Sequence, residues 1–185
     1  MSDFPIIVLA AGSSKRMGGV DKLMQQVDGV RLVRRQAMIA RASTTGPVIV
    51  TLPSAAHARW RALDGLDVTR IEVADAAEGM NASIRAAVSA LPDGCAAAMI
   101  LLGDLPDLFE NDLNATLQGV DLNSDTLVWR GATSAGKPGH PVVFAQPMFA
   151  HLAQLHGDSG GREAMAAAKG HIQLIPLEGE RARSD

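Results

Sequence analysis

The sequence predicts an α/β fold: a three-layer sandwich in which helices cover both faces of a mostly parallel β-sheet. Short apolar runs rich in β-branched residues recur along the chain, which is typical of strands buried in a parallel sheet. Segments with helical periodicity alternate with these runs, as expected when helices join parallel strands. Because no linker, internal repeat or low-complexity tract divides the 185 residues, we expect one domain to span residues 1–185.

The first two thirds of the chain contain four predicted strands and four predicted helices. The strand at residues 4–10 is a continuous apolar run that leads directly into an Ala-Gly-Ser-Ser loop. The helix at residues 80–91 carries Met80, Ile84 and Val88 on one face, and Pro-Asp-Gly at residues 92–94 ends it. The remaining elements are strands at 47–52, 68–73 and 96–102 and helices at 31–42, 57–63 and 113–117.

The last third adds strands at residues 126–129, 141–144 and 172–177, with helices at 149–155 and 162–168. Ligands of such sheets bind beyond the carboxyl ends of the strands. The candidate site therefore consists of the loops that follow strands, at residues 11–22, 75–85 and 103–107.

The composition disfavours several classes of protein. Aromatic residues make up 3% of the chain and tyrosine is absent, which argues against recognition of single-stranded nucleic acid by stacking. A net charge of -3 disfavours duplex binding. No apolar run approaches the ~20 residues of a membrane helix, no signal-type segment opens the chain, and Cys95 has no second cysteine to pair with. We therefore expect a cytoplasmic protein that binds neither nucleic acid nor a membrane.

Charge is unevenly distributed along the chain. Residues 13–41 contain seven basic and two acidic side chains, whereas residues 104–125 contain six acidic side chains and no basic one. A site that binds both phosphates and a divalent cation needs basic and acidic side chains close together. The alternative is that both segments are simply solvated surface.

The loop at residues 9–22 reads L-A-A-G-S-S-K-R-M-G-G-V-D-K and has the composition of a triphosphate site. Its small residues let backbone amides approach a ligand, its serines supply hydroxyl groups, and its basic residues supply positive charge. These residues are Ala10, Ala11, Gly12, Ser13, Ser14, Lys15, Arg16 and Lys22. Neither G-x-G-x-x-G nor G-x-x-x-x-G-K-[ST] is present, so a dinucleotide fold and a P-loop ATPase are disfavoured. The alternative is a glycine turn with incidental surface cations.

The order of residues in this loop resembles the signature of the nucleotidyltransferases that attach a nucleotide to molybdopterin. The signature is L-A-A-G-x-S-x-R-M-G followed closely by D-K. Further segments are similar to the same family in the same order: E-G-M-N-A-S-I-R at 78–85, L-L-G-D-L-P at 101–106, G-H-P-V-V-F at 139–144 and G-D-S-G-G-R at 157–162. The resemblance covers residues 6–162 and implies the nucleotide-diphospho-sugar-transferase-like (Rossmann-like) fold of the wider sugar-nucleotide pyrophosphorylase-like superfamily.

Within this family, L-A-A-G with G-M-x-A-S resembles the molybdenum cofactor cytidylyltransferase branch, whereas the guanylyltransferase branch reads L-A-G-G. The resemblance implies CTP and molybdopterin as substrates, Mg²⁺ as cofactor, and a molybdenum hydroxylase of the xanthine dehydrogenase family, or its chaperone, as partner. Two alternatives stay open. One is an enzyme of the same fold that uses GTP or another phosphorylated acceptor, and the other is a non-catalytic molybdenum cofactor carrier.

The proposed reaction suggests a role for each charged residue. Attack on the α-phosphorus of a triphosphate builds negative charge, so the protein mainly supplies positioning and positive charge. We expect Arg16 to hold the β- and γ-phosphates, Lys22 to stabilise the α-phosphate, and Asp104 to bind Mg²⁺. The alternative for Asp104 is a helix N-cap or turn residue. The nucleotide-binding loop would comprise Leu9, Ala10, Ala11, Gly12, Ser13 and Ser14.

The resemblance also implies roles further along the chain. The segment with Gly79, Asn81, Ser83 and Arg85 would read the cytosine, although Asn81 or Ser83 could instead be helix caps. His140 would line the pterin or active-site cleft, or be a structural residue of a Lys-Pro-Gly-His-Pro turn.

The family carries a second metal-binding aspartate in a D-x-D-x-P-x-D segment near its C-terminus. Asp185 matches the first residue of that segment. We therefore expect Asp185 to be the second metal ligand and the domain to lack its C-terminal helix.

Overall fold

A seven-stranded β-sheet forms the centre of the computed structural model, which describes residues 2–12, 20–157 and 161–183. Two further strands, β2 (Gln26–Val27) and β3 (Val30–Arg31), form a separate hairpin. In chain order the strands of the large sheet are β1 (Ile6–Leu9), β4 (Val48–Leu52), β5 (Thr69–Glu72), β6 (Ala97–Leu102), β7 (Val128–Ala132), β8 (Pro138–Ala145) and β9 (Ile172–Pro176). The spatial order of the sheet is β5-β4-β1-β6-β8-β7-β9. Among the described strands of this sheet, β8 alone runs opposite to the others.

Six α-helices in the described part of the chain connect these strands. They are α1 (Leu32–Ser43), α2 (Ala58–Ala62), α3 (Met80–Val88), α4 (Glu110–Gln118), α5 (Phe149–Ala153) and α6 (Arg162–Ala167). None of these helices has the length and apolarity that a membrane crossing requires.

The two faces of the sheet are covered by different helices, which confirms the predicted α/β sandwich. Alternate residues of a strand point to opposite faces. Ile6 of β1 packs in a core cluster with residues of α1 and α4, whereas its neighbour Ile7 packs with residues of α3, α5 and α6. All residues of β1 and β4 are buried because these strands have apolar layers on both sides. The edge strand β5 is mostly exposed and carries Arg70 and Glu72, side chains that discourage pairing with another chain.

The β2–β3 hairpin is an element that the sequence analysis does not predict. Its turn residues Asp28 and Gly29 have φ values of 52° and 80°, as two-residue hairpin turns require. The Asp-Gly pair is therefore a signal for this turn, but each flanking strand has only two residues. Such strands are too short for an alternating pattern to be recognised.

The predicted start of β8 is also wrong. The sequence predicts a strand that begins at residue 141, with His140 in a turn, whereas β8 begins at Pro138 and includes His140. The reason is an added contact: Arg130 of β7 donates a hydrogen bond from Nε to the Gly139 carbonyl at 2.8 Å, and the His140 amide donates to the Ala182 carbonyl at 2.8 Å. Neighbouring chain segments thus hold a Pro-Gly segment in extended form.

Candidate functional site

The carboxyl ends of β1 and β6 lie against each other at one edge of the sheet. The Gly103 amide donates a hydrogen bond to the Leu9 carbonyl at 3.0 Å. A Cβ atom at Gly103 would lie 2.8 Å from that carbonyl oxygen and 3.5 Å from both Ala10 Cβ and Leu23 Cδ1. Only glycine permits this approach without a backbone shift. The contact brings residues 9–12, Lys22 and Asp104 to the same edge, as the sequence analysis expects of its candidate loops.

Lys22 opens a short 3₁₀ helix that has well-defined anchors. Asp21 caps the helix by accepting a hydrogen bond from the Leu23 amide at 3.1 Å, and the Leu23 side chain is buried in the core. Lys22 itself is half-buried. No described residue forms a hydrogen bond or ion pair with its ammonium group. Lys22 is therefore held in place by its neighbours while its charge is available to a ligand.

Asp104 follows β6 on a loop that α1 holds in place. Gln36 of α1 donates a hydrogen bond from Nε2 to the Leu105 carbonyl at 2.8 Å, and Arg35 donates to the Leu108 carbonyl at 3.2 Å. The side chains of Leu105 and Leu108 are buried. Asp104 is half-buried, and no described residue pairs with its carboxylate.

The alternative that Asp104 caps a helix is not supported, because α4 begins at Glu110 and has Phe109 at its N-cap. In the part of the chain that the structure describes, no group of three or more His, Cys, Asp or Glu side chains could enclose a metal ion. A lone carboxylate still suits Mg²⁺, which is commonly held by one or two carboxylates together with water and substrate phosphates.

Arg59 of α2 is a component of this edge that the sequence analysis does not identify. Its side chain is 1% exposed. It donates hydrogen bonds to the carbonyls of Ala10 at 2.7 Å and Gly12 at 2.8 Å, and to both carboxylate oxygens of Asp21 at 2.9 and 2.6 Å. Burial alone would raise the pKa of Asp21, but the hydrogen bonds and charge of Arg59 outweigh it and lower this pKa below its ordinary value.

A sequence signal for Arg59 does exist. Ala62 and Leu63 follow it at three and four residues, and both are buried. The helical period therefore places Arg59 on the apolar face of the predicted helix, where a charged residue requires a partner. Its partner Asp21 is 38 residues away in the sequence.

The start of α3 lies beside the loop at residues 9–12, since Ala11 packs with Val73 and Ala82 in a small buried cluster. Gly79 precedes the helix with φ 122° and ψ -165°, a conformation that favours glycine. Ser83 is buried on this helix. The candidate loops at residues 11–22 and 75–85 are thus in contact.

The side chains of Asn81 and Arg85 hold the segment between α5 and α6. Asn81 donates to the His156 carbonyl at 2.7 Å and accepts from the Gly161 amide at 3.3 Å. Arg85 donates to the Leu155 carbonyl at 2.6 Å and pairs with both oxygens of Glu78 at 2.9 and 2.5 Å. These bonds give both side chains a role within the protein, and their contact with a nucleobase stays a prediction.

Glu78 completes this arrangement by accepting a hydrogen bond from the Gly157 amide at 2.9 Å. The hydrogen bonds from Arg85 and Gly157 lower the pKa of Glu78 to about 2. The carboxylate is therefore ionised at neutral pH and the Glu78–Arg85 pair is intact.

A cavity of about 180 Å³ lies on the α3 and α5 face of the sheet. Most of its lining is apolar, and its polar lining residues are Arg130, His140 and Arg162. No Asp or Glu of the described residues lines it. Leu9 and Met80 also line the cavity, so it adjoins both the loop after β1 and the start of α3. Its composition suits a ligand with an apolar body and an anionic group.

His140 is largely enclosed in this cavity wall, and its Nδ1 atom is buried without a hydrogen-bond partner among the described residues. Burial, together with the charge of Arg130, lowers the pKa of His140 to about 4. The imidazole is therefore neutral at physiological pH.

We expect this histidine to make the protein less stable in mild acid. Between pH 6.5 and the folded-state pKa of about 4, the unfolded chain binds a proton at His140 that the folded protein does not. The free energy of unfolding should therefore fall by up to about 3 kcal/mol over this range. Urea unfolding at pH 7 and pH 4.5 would measure this decrease in the free energy of unfolding. In His140→Gln the decrease should be smaller than in wild type. His151 is exposed, so His151→Gln should behave like the wild type. Equal decreases in all three proteins would contradict the prediction.

Four predicted site residues, Ser13, Ser14, Arg16 and Asp185, lie outside the described residues. Of the remaining ones, the loop residues, Lys22 and Asp104 lie at the carboxyl ends of β1 and β6. Leu9 and His140 line the cavity, whereas Gly79, Asn81, Ser83 and Arg85 at the start of α3 are not among the residues that line it.

Comparison with known proteins bears on this geometry. A family model described as the MobA-like NTP transferase domain matches residues 6–172. No curated protein matches the sequence. Rv0371c from Mycobacterium tuberculosis H37Rv is 26% identical and has a TM-score of 0.79, with 96% of this chain and 89% of that chain covered.

A structure of Rv0371c in complex with manganese is 24% identical, with a TM-score of 0.76 and coverage of 100% of this chain and 94% of that one. A structure of CMP:2-keto-3-deoxy-manno-octonic acid synthetase complexed with CTP is 14% identical, with a TM-score of 0.73 and coverage of 96% and 91%. These two likenesses concern the fold alone. The nucleotide-diphospho-sugar-transferase-like fold expected from the sequence is confirmed.

Proposed function

The chain belongs to the family of MobA-like NTP transferases and is a nucleotidyltransferase, and from this premise we propose that it transfers CMP from CTP to the terminal phosphate of molybdopterin, with Mg²⁺ as the cofactor. The observation that carries the proposal is the convergence of residues 9–12, Lys22 and Asp104 at one sheet edge, next to a cavity with two arginines and no carboxylate in its described lining. Residues 9–12 with Lys22 and Asp104 suit a triphosphate, and the cavity suits an anionic acceptor.

In the proposed reaction, an oxygen of the acceptor phosphate forms a bond to the α-phosphorus of the nucleotide. The bond between that phosphorus and the oxygen bridging to the β-phosphate breaks, and pyrophosphate leaves with the electron pair. Lys22 stabilises the negative charge that develops on the α-phosphate, and backbone amides of Ala11 and Gly12 orient the triphosphate. Arg16 would assist at the β- and γ-phosphates.

Mg²⁺ would be held by Asp104, with Asp185 as its expected second ligand, and when bound it neutralises phosphate charge. The half-buried carboxylate of Asp104 has no partner among the described residues, which leaves its oxygens for a hard cation. A structural neighbour in complex with manganese supports a divalent metal.

The choice of CTP rests on the L-A-A-G and G-M-x-A-S motifs and on a neighbour of the same fold that is complexed with CTP. The choice of molybdopterin rests on the family resemblance and on the cavity, whose apolar lining could cover a flat ring while Arg130 and Arg162 meet a phosphate. A molybdenum hydroxylase of the xanthine dehydrogenase family, or its chaperone, would receive the product in the cytoplasm.

Pyrophosphate release tests the proposal. The protein is incubated with Mg²⁺, either CTP or GTP, and either molybdopterin or a sugar phosphate. We expect release with CTP and molybdopterin at a rate at least about tenfold above the other pairs, since one well-made polar contact gives discrimination of this order. Faster release with GTP or with the sugar phosphate would favour the corresponding alternative. Binding of molybdopterin without release from any pair would favour a carrier.

A further inference from the structure

We propose that Arg59 is a positioning residue for nucleotide transfer, which holds the backbone of the loop after β1 in the form that accepts a triphosphate. The inference rests on the proposed function, because it concerns the same nucleotide site. Arg59 does not face the site itself. It acts through residues 10–12 and through Asp21, which precedes Lys22.

One planar group binds two backbone carbonyls and one carboxylate here. The Arg59 guanidinium binds the carbonyls of Ala10 and Gly12 and both oxygens of the Asp21 carboxylate, at distances from 2.6 to 2.9 Å. Gly12 and Asp21 are nine positions apart in the sequence, and the same guanidinium binds both. Such a forked arrangement is geometrically strict because the guanidinium is rigid.

The orientation of the loop's peptide groups follows from these bonds. In a trans peptide unit the carbonyl of one residue points opposite to the amide of the next. Because the Ala10 carbonyl points to Arg59, the Ala11 amide points away from it. The carbonyl oxygens of Ala10 and Gly12, which would repel a phosphate, therefore point toward Arg59. The Ala11 amide points to the opposite side, where it can donate to a phosphate.

The charge of Arg59 matters as well as its shape. Asp21 is a carboxylate next to a site proposed to bind a highly anionic ligand, and its ion pair with Arg59 at 2.6 Å neutralises it. Asp21 also caps the 3₁₀ helix that begins at Lys22. The buried ion pair therefore holds the proposed catalytic lysine in place without adding net charge beside the phosphates.

Arg34 of α1 offers a matched control, because it binds backbone carbonyls at the other end of α2. It donates hydrogen bonds to the carbonyls of Ala62 at 3.0 Å and Asp64 at 2.9 Å, at the opposite end of α2 from the loop. Arg34→Lys and Arg59→Lys make the same chemical change: each keeps the positive charge and loses the planar fork. Only the second change disturbs the loop after β1.

The test compares wild type, Arg59→Lys and Arg34→Lys. Binding of Mg²⁺–CTP is measured by calorimetry, and kcat and KM by pyrophosphate release. In Arg59→Lys we expect KM for the nucleotide to rise about tenfold and kcat to fall about tenfold or more, since a displacement near 1 Å can cost about 100-fold in rate. Arg34→Lys should stay within about twofold of wild type in both constants, as expected of a surface change away from the site. Wild-type KM and kcat in Arg59→Lys, with only a lower melting temperature, would overturn the inference.

Amide hydrogen exchange gives a readout that does not depend on turnover. In peptides that contain Ala11, Gly12 and Leu23, exchange should be faster in Arg59→Lys than in wild type and unchanged in Arg34→Lys. Equal exchange in all three proteins would overturn the inference. Should Arg59→Lys not fold, Asp21→Asn removes the same ion pair with a nearly isosteric side chain, and the same outcomes apply to it.

These measurements separate the two proposals. A wild type that binds Mg²⁺–CTP but releases no pyrophosphate with any acceptor overturns the proposed reaction, while nucleotide binding and exchange in Arg59→Lys still decide the role of Arg59. A wild type that binds no nucleoside triphosphate overturns both.

Discussion

Replacement of Lys22 by alanine is expected to lower the rate of pyrophosphate release by at least about 100-fold, which is the usual cost of losing one group that stabilises charge in the transition state. The cap at Asp21 and the buried Leu23 anchor the backbone of the 3₁₀ helix that carries Lys22, and no described residue pairs with its ammonium group. In the proposed reaction its charge acts on the α-phosphate as negative charge develops there, so the loss should appear mainly in kcat. Steady-state kinetics with CTP and molybdopterin would measure kcat and KM of Lys22→Ala and of wild type.

The control for this variant is Lys169→Ala, which removes the same charge from an exposed position after α6. It should retain wild-type kcat and KM. Circular dichroism and thermal unfolding would verify that Lys22→Ala keeps its fold. Should Lys22→Ala turn over at the wild-type rate, Lys22 has no part in the chemistry.

The second large effect is expected from Asp104→Asn, which keeps the size of the side chain but removes the charge that would hold Mg²⁺. Pyrophosphate release at limiting Mg²⁺ should fall by about 100-fold or more, by analogy with the loss of a group that stabilises phosphate charge. Raising the Mg²⁺ concentration should restore part of the activity, because phosphates and water supply the remaining ligands. Rates are measured across a titration of Mg²⁺.

Asp107→Asn provides the comparison for this titration, since Asp107 is an exposed residue of the same acidic loop. Its dependence on Mg²⁺ should match that of wild type. An identical Mg²⁺ dependence in Asp104→Asn and wild type would remove Asp104 from the metal site.

Much of the sheet could be predicted because its strands are buried on both faces. β1 and β4 are continuous apolar runs, and such runs are evident without knowledge of their neighbours. The convergence of Lys22 and Asp104 could be expected for a related reason: each follows a strand of a parallel sheet, where carboxyl ends share one edge.

Features built from distant contacts could not be predicted in this way. Arg59 is significant because of its bonds to Ala10, Gly12 and Asp21, which lie 38 to 49 residues away. The extended conformation at His140 likewise depends on its contact with Ala182, 42 residues further along the chain. At His140 a tertiary contact overrides the local preference for a turn, whereas for Arg59 the helical pattern indicates a buried charge but does not identify its partners.

Among the described strands of the sheet, the reversed strand β8 brings residues from the second half of the chain to the site edge. Since β8 runs against β6 and Val142 pairs with Ile100, its first residues lie at the edge where β1 and β6 end. The wall with His140 therefore comes from the second half of the chain, whereas the loop after β1 comes from the first. Under the proposed function, substitution of Arg130, His140 or Arg162 is therefore expected to change the choice of acceptor more than the choice of nucleotide.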